Sequence, residues 1–408
     1  MPSRRISNLR HARYYAQRCA LAEQQYRDGH QEYGLALFDQ ERAQIDLAWS
    51  RLMDAAHTSE PEILALILDY ADATASIGEI RYRLRAERIP RLEAQLAAAR
   101  QLNHRRAEGQ ALGNLAVALA YAGEYAQAID YYIQRIEIAR EVGDRRGECV
   151  ALANLGCAYK DQGLYREALL CHQQALEIAQ ELQDARAEGA QYSNLGNVFQ
   201  VIGYYREAIE FHKRSLTIAR SVGDRRGEGN ALGNLALACN SCGDYQQSII
   251  YATEALEILR SIGDRRAEGN TLTNLGSAYL GLGNYAQAIA CFEQQLTIAQ
   301  ETGDLRGASA ALGNLGVAYK RLGNITAAIS AYDQALAIDR QIGERSAEAI
   351  DSWNLGLLYE QQGDLRSAIA CIQVYVNFAR AVNHPNAERD ARWLESLRQR
   401  LGEIDAQE

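Results

Sequence analysis

Proline is scarce in this chain, with four in 408 residues. Long β-branched runs are missing as well, so the sequence favours helices and argues against a sheet. No apolar stretch approaches the roughly 20 residues that cross a bilayer, which excludes a spanning helix. The start, Met1-Pro2-Ser3-Arg4-Arg5, is basic, but no apolar segment follows it, so no secretory leader is expected. The eight cysteines lack the spacing of a disulfide framework, and a cytoplasmic location is the expectation. Lysine is nearly absent: Lys160, Lys213 and Lys320 are the only ones among 43 basic residues, and the rest are arginine. Arginine offers a planar donor fork for carboxylates that lysine lacks, although genomic base composition would give the same bias. A net charge of −9 gives no support for nucleic-acid binding as the main role.

What the chain has instead is a period. Asparagine falls at positions 114, 154, 194, 234, 274, 314 and 354, each followed by leucine, and nine residues after each comes a glycine, from Gly123 to Gly363. Forty residues repeated without an insertion mark a stacked array in which each unit contacts mainly its neighbours. In the unit from Asp144 to Gln183, Asp144 is placed to cap a first helix, A, with Glu148 in its first turn. Asp184, Asp224, Asp264 and Asp304 repeat the cap, with Glu344 as a weaker substitute. Leu152, Leu155 and Tyr159 share one face, and Gly156 between them leaves room for a neighbouring helix. Gly163 ends helix A, and a second helix, B, carries Tyr165, Ala168, Leu169, Leu176 and Ile178. Helix B should close near Gln183, where five other repeats place a glycine.

Seven such units are expected over 104–383. Residues 61–103 read as a degenerate repeat, with Thr74 at the asparagine position and Ala99-Arg100 matching Ala139-Arg140. Residues 1–60 form an N-terminal helical segment outside the repeat pattern. Residues 384–408 hold a capping helix, with Trp393 and Leu394, followed by a polar tail expected to fray.

The pattern Asn-Leu-Gly-x-x-Tyr-x-x-x-Gly-x-Tyr-x-x-Ala, whole at Asn154–Ala168 and Asn274–Ala288, resembles the tetratricopeptide repeat in its forty-residue form. It is most similar to the Leu-Gly-Asn repeat (Pins-type) adaptors, which share the opening seen here at Gly223-Asp224-Arg225. Kinesin light chains and bacterial and cyanobacterial repeat proteins are similar at a further remove. The resemblance implies an all-α, right-handed superhelical solenoid of helix–turn–helix repeats. It also implies a concave groove lined by helix A, where an asparagine ladder holds an extended partner segment. The chain departs from the Pins-type pattern in two ways. The second asparagine, three residues on, survives only at Asn197, and no G-protein-binding tail follows the cap. The specific partners of those adaptors are therefore not carried over. His11 to Leu52 weakly resembles the linker that joins the nucleotide-binding part of bacterial signalling ATPases to their repeats. No Gly-x-x-x-x-Gly-Lys-Ser/Thr loop occurs, so such an ATPase would be a separate chain.

The candidate site is thus the ladder Asn114, Asn154, Asn194, Asn234, Asn274, Asn314 and Asn354, with Asn197. A primary amide donates and accepts, and so suits the unpaired N–H and C=O groups of an extended backbone. The alternative is that each amide bonds a neighbouring repeat and sets the pitch. Arg106, Arg146, Arg186, Arg226, Arg266 and Arg306 make a second ladder eight residues earlier, either on the groove or paired with Glu108, Glu148, Glu188, Glu228 and Glu268. Lys160 and Lys320 add candidate anion contacts. Cys239-x-x-Cys242 reads as core cysteine, because Cys239 takes the place of Tyr159, Tyr279 and Tyr319. No catalytic constellation stands out, and no enzyme activity, cofactor or metal is expected. The expected function is a non-enzymatic protein–protein adaptor. The alternatives are a regulatory subunit of a signalling ATPase, or a scaffold using an outer surface that includes His172, Gln173 and His212.

Overall fold

The computed structural model describes residues 4–56 and 60–406, so the first three residues of the basic start and the last two of the tail lie outside the described residues. Every regular element among them is helical. An N-terminal group comprises α1 (Arg4–Arg27), α2 (Gln31–Ala56), α3 (Pro61–Asp72), the short α4 (Ile77–Arg81), a single π turn at Leu84–Arg88, and α5 (Ile89–Gln101). The A and B helices then alternate: α6 (Arg105–Tyr121) and α7 (Tyr125–Glu141), α8 (Arg145–Asp161) and α9 (Tyr165–Glu181), α10 (Ala185–Val201) and α11 (Tyr205–Ser221). They continue as α12 (Arg225–Ser241) and α13 (Tyr245–Ile262), α14 (Arg265–Gly281) and α15 (Tyr285–Thr302), α16 (Leu305–Leu322) and α17 (Ile325–Ile342), α18 (Arg345–Gln362) and α19 (Leu365–Ala381). The last helix is α20 (Ala387–Asp405), so residues 402–405 of the expected frayed tail are helical. The chain divides into two compact units, 1–198 and 199–408. Within each, sequential helices pack on one another, helix A on its own helix B and helix B on the next helix A.

The helix starts follow the acids. Asp144 accepts from the Gly147 N–H (2.9 Å), and Asp184, Asp224, Asp264 and Asp304 make the same bond to the residue three on. Glu344 makes no such bond: its longer side chain turns to Arg306 instead. His104, which the acid pattern passes over, caps α6 through Nδ1 from the Ala107 N–H. Helix B ends in the left-handed region at Gly263, Gly303 and Gly343, as glycine permits. Gln183, the residue in place of the missing glycine, takes the same conformation at φ 53°, as do Asn103 and Asn383. The turn geometry therefore survives the loss of glycine, at some conformational cost.

A glutamate four residues into helix A joins successive repeats. Glu148 is 2% exposed and accepts from Arg145 on its own helix and from Arg140 on the preceding helix B, both at 2.6 Å. Glu108, Glu228 and Glu268 repeat the arrangement with Arg105 and Arg100, Arg225 and Arg220, Arg265 and Arg260. These glutamates thus pair with the arginine preceding the 106-type ladder, which corrects the sequence-based pairing.

Within a repeat, the residue two after the asparagine meets helix B. A Cβ on Gly156 would lie 2.7 Å from the His172 ring, on Gly276 2.5 Å from Phe292, on Gly316 2.6 Å from Tyr332, and on Gly356 2.6 Å from Ile372. Ala236 and Ala252 occupy the same two positions elsewhere, and Ala116 and Tyr132 show that one methyl group is tolerated. His172 and His212 are accordingly buried, which removes them from the outer surface on which the sequence placed them. Burial pushes both imidazoles down to about 4, and neither ring nitrogen of His212 finds a partner.

The N-terminal helices α1 and α2 pack on α3 and the segment that follows it. Cys19, Phe38, Ile45 and Leu52 form one cluster with Ile63, Ile67, Tyr70 and Ala98. Glu23 accepts from the N–H groups of Ser76 and Ile77 (2.8 and 2.9 Å), which holds α1 against the start of α4. At the other end, Leu394 and Leu397 of α20 cover Ile372 and Val376, and Trp393 lies edge-on to Trp353 at 5.1 Å.

Gly276→Leu should overpack the contact with Phe292 and lower stability by about 1–3 kcal/mol in denaturant unfolding. An unchanged midpoint would contradict this placement of helix A. The histidines give a pH signature. Their folded-state protonation lies below that of the unfolded chain, so their stabilising contribution is full above about 6.5 and is lost as pH falls toward about 4. His212→Phe should flatten that acid limb in melting curves taken from pH 7 to 4, and a parallel acid limb in the variant would show that His212 titrates normally.

Candidate functional site

The seven ladder asparagines each sit at the tenth position of an A helix, in α6, α8, α10, α12, α14, α16 and α18. Each following leucine is buried, which turns the asparagine sideways, and every ladder asparagine is half-buried. The position four residues earlier is open to solvent, as at Gln110, Val150, Asn230, Asn270 and Ile350. Helix spacing puts these side chains beside the amides on one face.

Three depressions open along A helices. One of about 470 Å³ is lined by Gln110, Gly113, Asn114, Val117, Val150 and Asn154, with Arg27 and Asp72 from α1 and α3 forming part of its wall. Another of about 330 Å³ holds Arg306, Asn314, Val317, Ile350 and Asn354, with Ser309, Asp339 and Asp351 among its other lining residues. The last, also about 330 Å³, is formed by Arg266, Asn270, Gln295, Thr302 and Asp304, together with backbone of α14 and α16. Ladder pairs Asn114/Asn154 and Asn314/Asn354 are thereby each brought to a single depression.

The ladder is not uniform. Asn274 donates through Nδ2 to the Gly233 carbonyl on the preceding A helix (3.0 Å), and its own carbonyl accepts from Asn240 (2.8 Å). At that repeat the amide ties neighbouring helices, as the alternative reading expected. Asn194, Asn197 and Asn234 are half-buried on α10 and α12.

The outer arginine ladder bridges repeats. Arg146 reaches Asp184 (2.7 Å), Arg226 reaches Asp264 (3.1 Å), and Arg306 reaches Glu344 (3.0 Å), each arginine being largely exposed. The Ala187 N–H and then the Arg146 guanidinium hold the Asp184 carboxyl below its usual range. Arg106, Arg186 and Arg266 occupy the equivalent exposed positions. Lys160 pairs with Asp161 (3.1 Å) and, like Lys320, lies outside the three depressions. Cys239 is buried, and burial pushes its thiol up to about 12. Cys242 donates to the Cys239 carbonyl, and the two thiols are free. Among the described residues no group of three or more His, Cys, Asp or Glu is placed to hold a metal, and no helix is long and apolar enough to cross a membrane.

The sequence overlooked one group. Asp339, on α17, and Asp351, on α18, are buried beneath the Asn314/Asn354 depression. Burial, reinforced by the Asp339 carboxylate, pushes the Asp351 carboxyl up to about 7.

The tetratricopeptide repeat signature matches residues 91–181, 188–261, 227–301, 267–341 and 307–381. The chain belongs to the tetratricopeptide repeat family. No curated protein matches it. Solved tetratricopeptide structures share the fold. The STAND (signal transduction ATPase with numerous domains) protein with a tetratricopeptide repeat sensor from Pyrococcus horikoshii aligns over 87% of this chain at 17% identity, with a TM-score of 0.57. The chain spans only 55% of that protein's length. Aspartyl phosphate phosphatase F from Bacillus subtilis aligns over 94% of both chains at 15% identity and a TM-score of 0.55. A Rap protein complexed with Competence and Sporulation Factor aligns over 84% of this chain and 99% of its own at 14% identity, TM-score 0.50. At 14–17% identity these likenesses show the shared fold.

Proposed function

We propose that this tetratricopeptide protein is a non-enzymatic adaptor that binds an extended protein segment along the face that the A helices of a unit present. One observation carries the reading: Asn114 with Asn154, and Asn314 with Asn354, bring pairs of amides to depressions that also hold an exposed apolar side chain, Val150 or Ile350. An extended segment needs that combination, with amides for its backbone groups and apolar hollows for alternate side chains. The outer arginines, Arg106 to Arg306, stand at the edge of this face and would favour acidic flanking residues, an effect that salt would weaken. Lys160 and Lys320, outside these depressions, play a lesser part in anion contact.

A second reading makes a separate signalling ATPase the partner. It is motivated by the shared fold with the STAND protein, a signal transduction ATPase with a tetratricopeptide repeat sensor. Co-purification with a nucleotide-binding protein favours it. A footprint on exposed helix B residues such as Gln173 would select a passive scaffold instead.

The test starts from a partner captured on the immobilised chain and trimmed to its bound segment. Replacing Asn154, Asn314 and Asn354 together by alanine removes the amides and keeps helix propensity. Each lost hydrogen bond should cost about 0.5–1.5 kcal/mol, so affinity measured by fluorescence anisotropy should fall at least roughly tenfold. Unchanged affinity with an unchanged circular dichroism spectrum would move the binding surface elsewhere.

A further inference from the structure

Aspartate stands at 339 where the other repeats place Ala139, Ala179, Ala219, Leu259, Ala299 and Ala379. It stands again at 351 where four repeats place Ala111, Ala151, Ala231 and Ala311. Two acids have thus entered positions that most repeats fill with apolar residues, Gln191 and Thr271 being the exceptions in the second column, and the fold brings both to one depression. Asp339 is 1% exposed and Asp351 8%. Ser309 donates to Oδ1 of Asp339, while Oδ2 of the same carboxylate is buried without a partner. Gly313 leaves space above Asp351, since a Cβ there would lie 3.1 Å from Oδ1.

No cation of the chain answers these acids among the described residues. The charged groups that act on Asp339 are Glu348 and Glu344, both of the same sign. Arg306 is held by Glu344 (3.0 Å) and Arg340 by Glu348 (2.7 Å). A buried carboxylate without a counter-charge is costly, and it is ordinarily neutralised by a proton or by a ligand. The depression is open, of about 330 Å³, and Ala310, Val317, Ile342, Ala347 and Ile350 line it together with Asn314, Asn354 and the paired Arg306 and Glu344. Apolar walls over an acidic floor suit a long basic side chain, which buries its methylenes and carries its charge at the tip. Two carboxylates and a serine fall short of a metal's ligand set.

We propose that the hollow over Asp339 and Asp351 receives the guanidinium or ammonium head of an arginine or lysine on the bound segment. The segment rests on the groove reading above. The pocket's affinity for the cationic head does not.

The test therefore uses a probe without a segment. Nα-acetyl-arginine methylamide and its lysine counterpart are titrated into the full chain, with Nα-acetyl-citrulline methylamide as the neutral match for arginine. The methyl NMR signals of Ala310, Ala347 and Ile350 are followed. Either basic probe should shift them saturably, and citrulline should not. Asp339→Ala with Asp351→Ala should weaken binding at least about tenfold through loss of charge-assisted hydrogen bonds. That variant should melt no lower than the parent, because alanine is what other repeats carry there. Asp351→Asn keeps the shape and removes one charge, and it should weaken binding in the same direction even if the double variant folds poorly. Equal shifts with citrulline, no shift with either basic probe, or undiminished binding in Asp351→Asn would overturn the proposal. The asparagine variants fix the origin of a failure: if they lose the segment while arginine-probe binding persists, the groove and the pocket act separately.

Discussion

The buried glutamate of helix A is the constraint on which the stacking depends. Glu148 is almost fully enclosed, and its two oxygens are taken by arginines from different helices, one from its own first turn and one from the end of the preceding helix B. A carboxylate so placed has few alternative arrangements, because any shift of one helix along the other leaves a buried charge unsatisfied. The arginines are about half exposed and return to water at little cost, so the pairs contribute more to register than to stability. The N-cap aspartates add a second fixed point, since Asp184 and Asp264 bond the start of their own helix and also meet an arginine from the repeat before. Where the glutamate is replaced by Ala308, the neighbouring positions also change character, with Ser309, Asp339 and Asp351 in place of small apolar residues.

Much of the helical framework is legible in the sequence because the signals are local. Asp144, Gly163 and the leucines between them suffice to place α8 and α9, since caps, turns and helical spacing act over a few residues. The asparagine face is legible for the same reason. What escapes is pairing across long separations. The partner of Arg146 is 38 residues away, and proximity in sequence pointed to Glu148 instead. His172 looked like a surface residue because its polarity was visible while the glycine it faces, Gly156, lies on another helix. The aspartates at 339 and 351 depart from their columns in plain view, but only packing shows that the columns converge.

The ladder also shows one side chain serving two ends. The amide of Asn274 is committed to the backbone of the neighbouring repeat, whereas Asn314 and Asn354 border a hollow. Identical residues at identical positions therefore need not act alike. Local departures from the repeat, more than the repeat itself, distinguish one part of the surface from another.

The fit between the two helices of a repeat has a consequence for how such an array can be recombined. Gly276 makes room for the ring of Phe292, and Gly316 for that of Tyr332, whereas Ala236 is matched with the small Ala252. Each A helix is thus keyed to the B helix that follows it. A splice in the turn between the halves, joining the helix of Gly276 to that of Ala252, would leave a hole where an aromatic ring belongs. A splice at the start of an A helix keeps the matched halves together. The heritable module is consequently the whole forty-residue pair, and chimaeras of this chain should be cut at the capping aspartates.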